Sequence, residues 1–177
     1  MKRSLEFLTL PEVLKIHEDQ IFRYGGSPEI RDIKLLESAV HTPEQTFGRE
    51  YLHGDLFSMA AAYAYHISQN HPFVDGNKRT ALATSLTFLG LNRIRIKDQK
   101  RKLYDSILEI SQGKMNKHEF AGILQTLAKK INIRESLETL EDVGIEKLAE
   151  RRLHRFGRKK ALSHEQFWKA AFKFSHH

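Results

Sequence analysis

Residues 71–80 read HPFVDGNKRT, from His71 to Thr80, and they stand between two stretches whose apolar residues recur at helical spacing. Before them, Leu56, Phe57, Met59, Ala60, Ala61, Tyr63, Ala64 and Ile67 cover most of a helix circumference, which predicts a central buried helix from Asp55 to about Asn70. After them, Lys78 to about Leu91 predicts a second apolar helix, with Leu82, Leu86, Phe88 and Leu89 inward and Gly90-Leu91-Asn92 closing it. Between two core helices, then, one short loop carries an imidazole, a carboxylate, a glycine, an amide and two cations. Such density marks a functional loop on a rigid scaffold.

The residue types in this loop suit one chemistry. Gly76 permits φ > 0, so that successive N–H groups around Gly76, Asn77 and Lys78 can converge on an anion. The helix that begins at the same point adds free N–H groups and a positive dipole end. Lys78 supplies a point charge and Arg79 a bidentate fork, both suited to a polyphosphate. Asp75 is a hard oxygen ligand fit for Mg²⁺ bridging two phosphates. Imidazoles titrate near neutrality, so His71 is the group suited to take a proton from a hydroxyl. Pro72 and Phe73 fix the loop, with Phe73 anchored in the core. A plainer reading makes His71, Asp75 and Asn77 helix caps and leaves Lys78 and Arg79 solvated; it accounts for each residue singly but not for all of them in this order. Together the parts describe transfer from a nucleoside triphosphate to a nucleophilic hydroxyl.

Outward from the loop, helices dominate. Pro11 to about Tyr24 places Val13, Leu14, Ile16, His17 and Ile21 on one face and ends at Gly25-Gly26. Arg31 to about His41 places Ile33, Leu35, Leu36, Ala39 and Val40 inward, with Pro43 closing it. The polar stretch Thr42 to Gly54 is longer than an ordinary helix connection and reads as a functional flap. Arg93 to Ile96 alternates and predicts a brief extended segment, while Lys102–Ser111 and Lys117–Lys130 predict further helices separated by the turn Gln112-Gly113. From Ile131 the pattern changes to charged amphipathic pieces, a basic run from Arg151 to Lys160, and a capped helix from Ser163 to Phe174. A boundary near residue 130 follows, dividing a domain over 1–130 from a basic helical C-terminal extension over 131–177.

Composition excludes several classes. There is no cysteine, so disulfides, thiolate zinc sites and a cysteine nucleophile are ruled out. His118-Glu119 and His164-Glu165 lack the second histidine that a helical zinc-hydrolase motif needs. No apolar run approaches the length of a membrane span and the first residues lack a secretory signal, so the expectation is a soluble, cytoplasmic protein. The net charge of +7 fits a nucleic-acid binder, but equally an enzyme that attracts nucleotides or an acidic partner. An isolated basic run such as 151–160 is more often a solvated helix end or a partner patch, which leaves nucleic acid out of the expected partners. His66 reads as a core histidine with a satisfied hydrogen bond.

The segment His71–Arg79 resembles the Fic/Doc (Fido) motif, whose Fic form reads HPFxxGNGRxxR and whose death-on-curing form reads HxFxxxNKR. The resemblance extends to GSPEIRDIKLLESA (26–39), to 43–47 and to Leu56–Ala61, and covers roughly residues 5 to 128. It implies an all-α helical bundle with a small β-hairpin flap beside the motif. It also implies His71 as the base, Asp75 as the magnesium ligand, Gly76, Asn77, Lys78 and Arg79 as the phosphate-binding anion hole, and ATP and Mg²⁺ as cofactors. The counterpart of the flap is Thr42 to His53, where Thr46, Phe47 and Gly48 would dock a target segment by backbone pairing.

Two departures from the Fic pattern bear on the reaction. Lys78 stands where Fic enzymes have their second glycine, and Leu82 where they have their second arginine. Fic enzymes usually transfer AMP, whereas Doc toxins share Lys78 and transfer the γ-phosphate, with elongation factor Tu as the known target class. The resemblance therefore implies a toxin that phosphorylates a Ser or Thr of a translation factor, with AMP transfer and a non-catalytic nucleotide- or nucleic-acid-binding regulator as the alternatives. The family's self-inhibiting element, Ser/Thr followed at the fourth place by Glu and then Gly or Asn, is not evident after residue 130. Thr46 and Glu50 have the first spacing, but Tyr51 follows. The expectation is inhibition in trans by a cognate antitoxin protein, with the C-terminal tail acting in cis as the alternative.

Overall fold

Short polar residues set where the helices begin. The computed structural model describes residues 5–98 and 101–130, and in it α1 (Leu10–Tyr24) opens behind Thr9, whose N–H donates to Glu12 Oε2 at 2.7 Å. Asp32 accepts from Lys34 N and Leu35 N and so starts α2 (Ile33–His41) slightly later than periodicity alone predicts. A 3₁₀ turn at Thr42–Glu44 leads into a hairpin, β1 (Thr46–Phe47) against β2 (Glu50–Tyr51). Asp55 then caps α3 (Leu56–Asn70) through Phe57 N and Ser58 N. After the loop come α4 (Asn77–Leu91), β3 (Ile94–Ile96), α5 (Lys102–Ser111), α6 (Lys117–Leu127) and β4 (Ala128–Lys130). Asn116 and Glu119 exchange reciprocal side-chain to backbone bonds at the start of α6. The described part is the helical bundle with a small hairpin that the fold class predicts; the boundary near 130, the basic run 151–160 and the helix 163–174 lie outside the described residues. Among the described residues no helix is long and apolar enough to cross a membrane.

α3 is the axis of the bundle, in contact with α2, α4, α5 and α6, while α1 packs on α4. It buries Met59 through Ala64, Ile67 and Ser68. α4 lies along it and buries Thr80, Ala81, Ala83, Thr84 and Ser85, so small side chains on both helices let the backbones approach closely. Larger groups pack beside them: the Tyr63 ring lies 5.3 Å from Phe88, and its hydroxyl accepts a bond from Leu8 N at 3.1 Å.

Three expectations change. The last helix stops at Leu127, because Ala128–Lys130 pairs antiparallel with β3 and Lys97 N closes onto Leu127 O at 3.0 Å. α2 buries only Leu36, Ala39 and Val40; Ile33 and Leu35 are 41% and 37% exposed, since a helix of this length presents one stripe to the core. On α4, Phe88 and Leu89 are buried as expected, but Leu82 and Leu86 are only half-buried, displaced outward by the small residues that face α3.

His66 also differs from expectation, since its buried Nε2 has no hydrogen-bond partner among the described residues. Burial, with Lys117 and His53 nearby, lowers its pKa from 6.5 to about 4. A histidine that the fold holds neutral stabilises it fully above 6.5, and that contribution is lost as pH falls toward about 4. Urea titrations at about pH 7 and about pH 4.5 are expected to show stability declining with acid, and more shallowly in His66→Leu. An equal decline in both proteins would remove His66 from the account.

Candidate active site

α3 ends at His71, whose backbone is left-handed (φ 46, ψ 56), an uncommon state for a residue with a side chain. The segment just before α2 holds it there. Arg31 Nη2 donates to Asn70 O at 2.6 Å, Pro72 O accepts from Arg31 N at 2.8 Å and Asp32 N at 3.0 Å, and Val74 N donates to Glu29 O at 3.0 Å. Ile30 and Phe73 face each other across an isolated antiparallel bridge. From the other side, Asn77 takes both backbone groups of Phe73: Phe73 N donates to its Oδ1 at 3.0 Å, and its Nδ2 donates to Phe73 O at 2.8 Å. The Phe73 ring is buried and stacks on His17, with centroids 3.8 Å apart and planes 11° apart.

Gly76 is left-handed at φ 77, and a Cβ there would stand 3.0 Å from Ile21 Cδ1 and 3.2 Å from His17 Cε1. The first helical bond of α4 runs from Thr80 N to Gly76 O, which leaves the N–H groups of Asn77, Lys78 and Arg79 without helical acceptors. Those three N–H groups lie at the positive end of α4, a position that favours an anion. The predicted role of Asn77 is thereby narrowed: its amide is spent on Phe73, and only its N–H is left for an anion. Lys78 and the half-buried His71 imidazole make no side-chain hydrogen bond or ion pair among the described residues. Asp75 is exposed, with Oδ1 2.5 Å from Gly76 N and Oδ2 3.6 Å from Arg79 Nη2. Arg79 Nη1 donates to Gly25 O at 2.9 Å, and its guanidinium lies 6.0 Å from the Tyr24 ring centroid.

A cleft of about 660 Å³ opens beside the cations. Lys78, Arg79, Leu82 and Leu86 line it from α4, Gln20 and Tyr24 from α1, and Leu103, Tyr104 and Ile107 from α5. Its volume is that of a small-molecule site, with Leu82, Leu86, Leu103 and Ile107 giving an apolar floor and charged groups, Asp98 and Arg101 among them, around it. The hairpin bearing Thr46, Phe47 and Gly48 is present, and Tyr51 anchors it by packing 5.4 Å from Phe7. Among the described residues no hydrogen bond or ring contact joins that hairpin to residues 71–79.

Four supports were invisible as such in the sequence. Arg31 and the 29–32 backbone, the Tyr24–Gly26 turn and His17 all reach the loop from elements distant in the chain. His17 carried one sequence signal, a polar residue on the apolar face of α1, and Gly26 and Arg31 lay within the stretch 26–39 without any role read for them. Its Nδ1 lies 3.0 Å from Thr80 Oγ1, and burial together with Arg79 lowers its pKa, so the ring under Gly76 stays neutral.

A helical domain thus sets an imidazole, a carboxylate and two cations on one loop at a helix start, an arrangement suited to an anion. The family is specific: residues 7–89 match the Fic/DOC family model. Over 116 residues the chain is 31% identical to "Protein kinase doc" of Escherichia phage P1, covering 66% of this chain and 90% of that protein. Over 73 residues it is 40% identical to "Toxin Doc" of Mycolicibacterium smegmatis, covering 41% of this chain and 56% of that protein, little more than half the relative's length. The chain belongs to the Fic/DOC family.

The Asn77 clamp gives a direct test. Asn77→Ala removes both partners of the buried Phe73 backbone and is expected to destabilise the domain by about 2–4 kcal/mol, read as a lower urea midpoint at pH 7. A loss near zero would mean that Phe73 and the 29–32 pairing hold the loop unaided.

Proposed function

We propose that the chain is a Doc-like toxin that transfers the γ-phosphate of ATP, with Mg²⁺, to a Ser or Thr hydroxyl of a target protein of the translation-factor class, elongation factor Tu being the first candidate. The observation that carries the choice of phosphate over AMP is the cleft beside Lys78 and Arg79, where Leu82 stands on an apolar wall. An apolar floor suits a nucleoside and penalises an unpaired terminal phosphate. With the nucleoside there and the phosphates running toward the start of α4, the phosphorus farthest from the nucleoside is the one that reaches His71. The relatives named "Toxin Doc" and "Protein kinase doc" support the same reading.

The residues divide the work. The N–H groups of Asn77, Lys78 and Arg79 bind and orient phosphate oxygens, and the Lys78 and Arg79 side chains balance their charge. His71, held in a left-handed backbone state at the end of α3, accepts the proton of the acceptor hydroxyl as that oxygen bonds to phosphorus and the bond to the leaving nucleoside diphosphate breaks. Asp75 fits a magnesium ligand: it is an exposed carboxylate, and among the described residues no group of three or more His, Cys, Asp or Glu forms a protein cage. A single carboxylate sharing the ion with phosphates and water is how Mg²⁺ is usually held, and the bound ion would neutralise charge between phosphates. The exposed hairpin at Thr46, Phe47 and Gly48 would receive the target segment, and an antitoxin protein would supply inhibition.

Intact mass after incubation of elongation factor Tu with the protein, ATP and Mg²⁺ decides the reaction. A gain of about 80 Da is expected, and a gain of about 329 Da would assign AMP transfer instead. His71→Ala is expected to slow the modification by about 10²–10⁴-fold. No mass gain on this target or on any protein of a cell extract would overturn the reading.

A further inference from the structure

We infer that the Tyr24–Gly26 turn at the end of α1 is a positioning element of the active site, and that the missing side chain of Gly26 sets the direction of the Asp75 carboxylate. The inference rests on the reading of Asp75 as the residue that faces magnesium. The turn touches both charged partners of the loop. Arg79 donates to Gly25 O at 2.9 Å and lies against Tyr24, and the Asp75 carboxylate lies directly over Gly26. A Cβ at Gly26 would stand 2.1 Å from Asp75 Oδ2, 3.0 Å from Asp75 Cγ and 3.1 Å from Ile21 Cδ1. No heavy atoms coexist at the first distance, so any side chain at position 26 displaces the carboxylate. Displacement moves Asp75 off the arrangement in which Oδ1 meets Gly76 N and Oδ2 faces Arg79. The turn reaches the same arrangement from the cation side, because Gly25 O and Tyr24 place the guanidinium that Asp75 faces.

Gly25 provides an internal control. Both glycines have positive φ, +76 at Gly25 and +120 at Gly26, so alanine strains the backbone at either place. Only position 26 adds a collision, since nothing lies within 4 Å of a Cβ at Gly25. Strain alone therefore acts at both positions, and carboxylate displacement at one.

The test compares the unaltered protein, Gly25→Ala, Gly26→Ala, Asp75→Ala and the double variant Gly26→Ala/Asp75→Ala. Calorimetry measures the affinity for a non-hydrolysable ATP analogue with Mg²⁺ and again with EDTA. Gly26→Ala is expected to lose about 10-fold or more of the magnesium-dependent gain, to leave the EDTA affinity near its original value, and to add no further loss in the Asp75→Ala background. Gly25→Ala, which strains the carbonyl that holds Arg79, is expected to weaken binding to the same degree with Mg²⁺ and with EDTA and so to keep the magnesium-dependent gain. Should Gly26→Ala fold poorly, Asp75→Ala opens the space and is expected to restore the thermal midpoint, which reads the same contact without ligand. A gain that survives Gly26→Ala, or an equal loss from Gly25→Ala, overturns the role of Gly26 alone. A protein that binds the analogue equally with and without Mg²⁺ overturns the reading of Asp75 beneath it.

Discussion

The site depends first on the Asn77 carboxamide, which closes both backbone groups of Phe73 from four residues further along the chain. A buried peptide unit outside regular structure must find partners, and a side-chain amide offers it a donor and an acceptor on two separate atoms. Because Asn77 is the first residue of α4, satisfying Phe73 also fixes where that helix starts relative to the loop. The three free N–H groups of α4 and the His71 ring then belong to one rigid piece. Pairing with residues 29–32 closes the outer side, so the loop is held by hydrogen bonds from within, through Asn77, and from a segment distant in the chain.

The close approach of α3 and α4 shapes the rest. Small residues face each other across that contact, so the bulky leucines of α4 turn outward into the space between α1 and α5. Packing thus produces both a firm seat for the loop and an apolar cleft beginning at its cations. The same rigidity lets the turn after α1 act at a distance in sequence: Gly25 and Gly26 meet Arg79 and Asp75 because α1 packs on α4.

Much of this was legible from local pattern. Helical periodicity located five of the six described helices to within two residues at each end. The loop His71–Thr80 suggested an anion site through residue type alone, because glycine, a helix start and two cations have few other joint uses, and the structure does place that helix start directly after Gly76. The errors lay where tertiary contact overrode periodicity. Leu82 and Leu86 read as core because leucine usually is; their true place depended on how near α3 stands. Lys117–Lys130 read as one helix because nothing local announces that β3 needs a partner.

The sequence by itself pointed to the proposed chemistry and its candidate carriers, His71, Asp75 and the Gly76–Arg79 run, because such chemistry is written in neighbours only a few residues apart. Tertiary structure alone decided the spending of the Asn77 side chain on Phe73, the neutral His17 beneath Gly76, the seating of Asp75 over Gly26 and the apolar wall at Leu82. Apart from the Asn77 bond, these facts join residues from different helices. Their distances are set by how helices pack, a quantity that no single window of sequence contains.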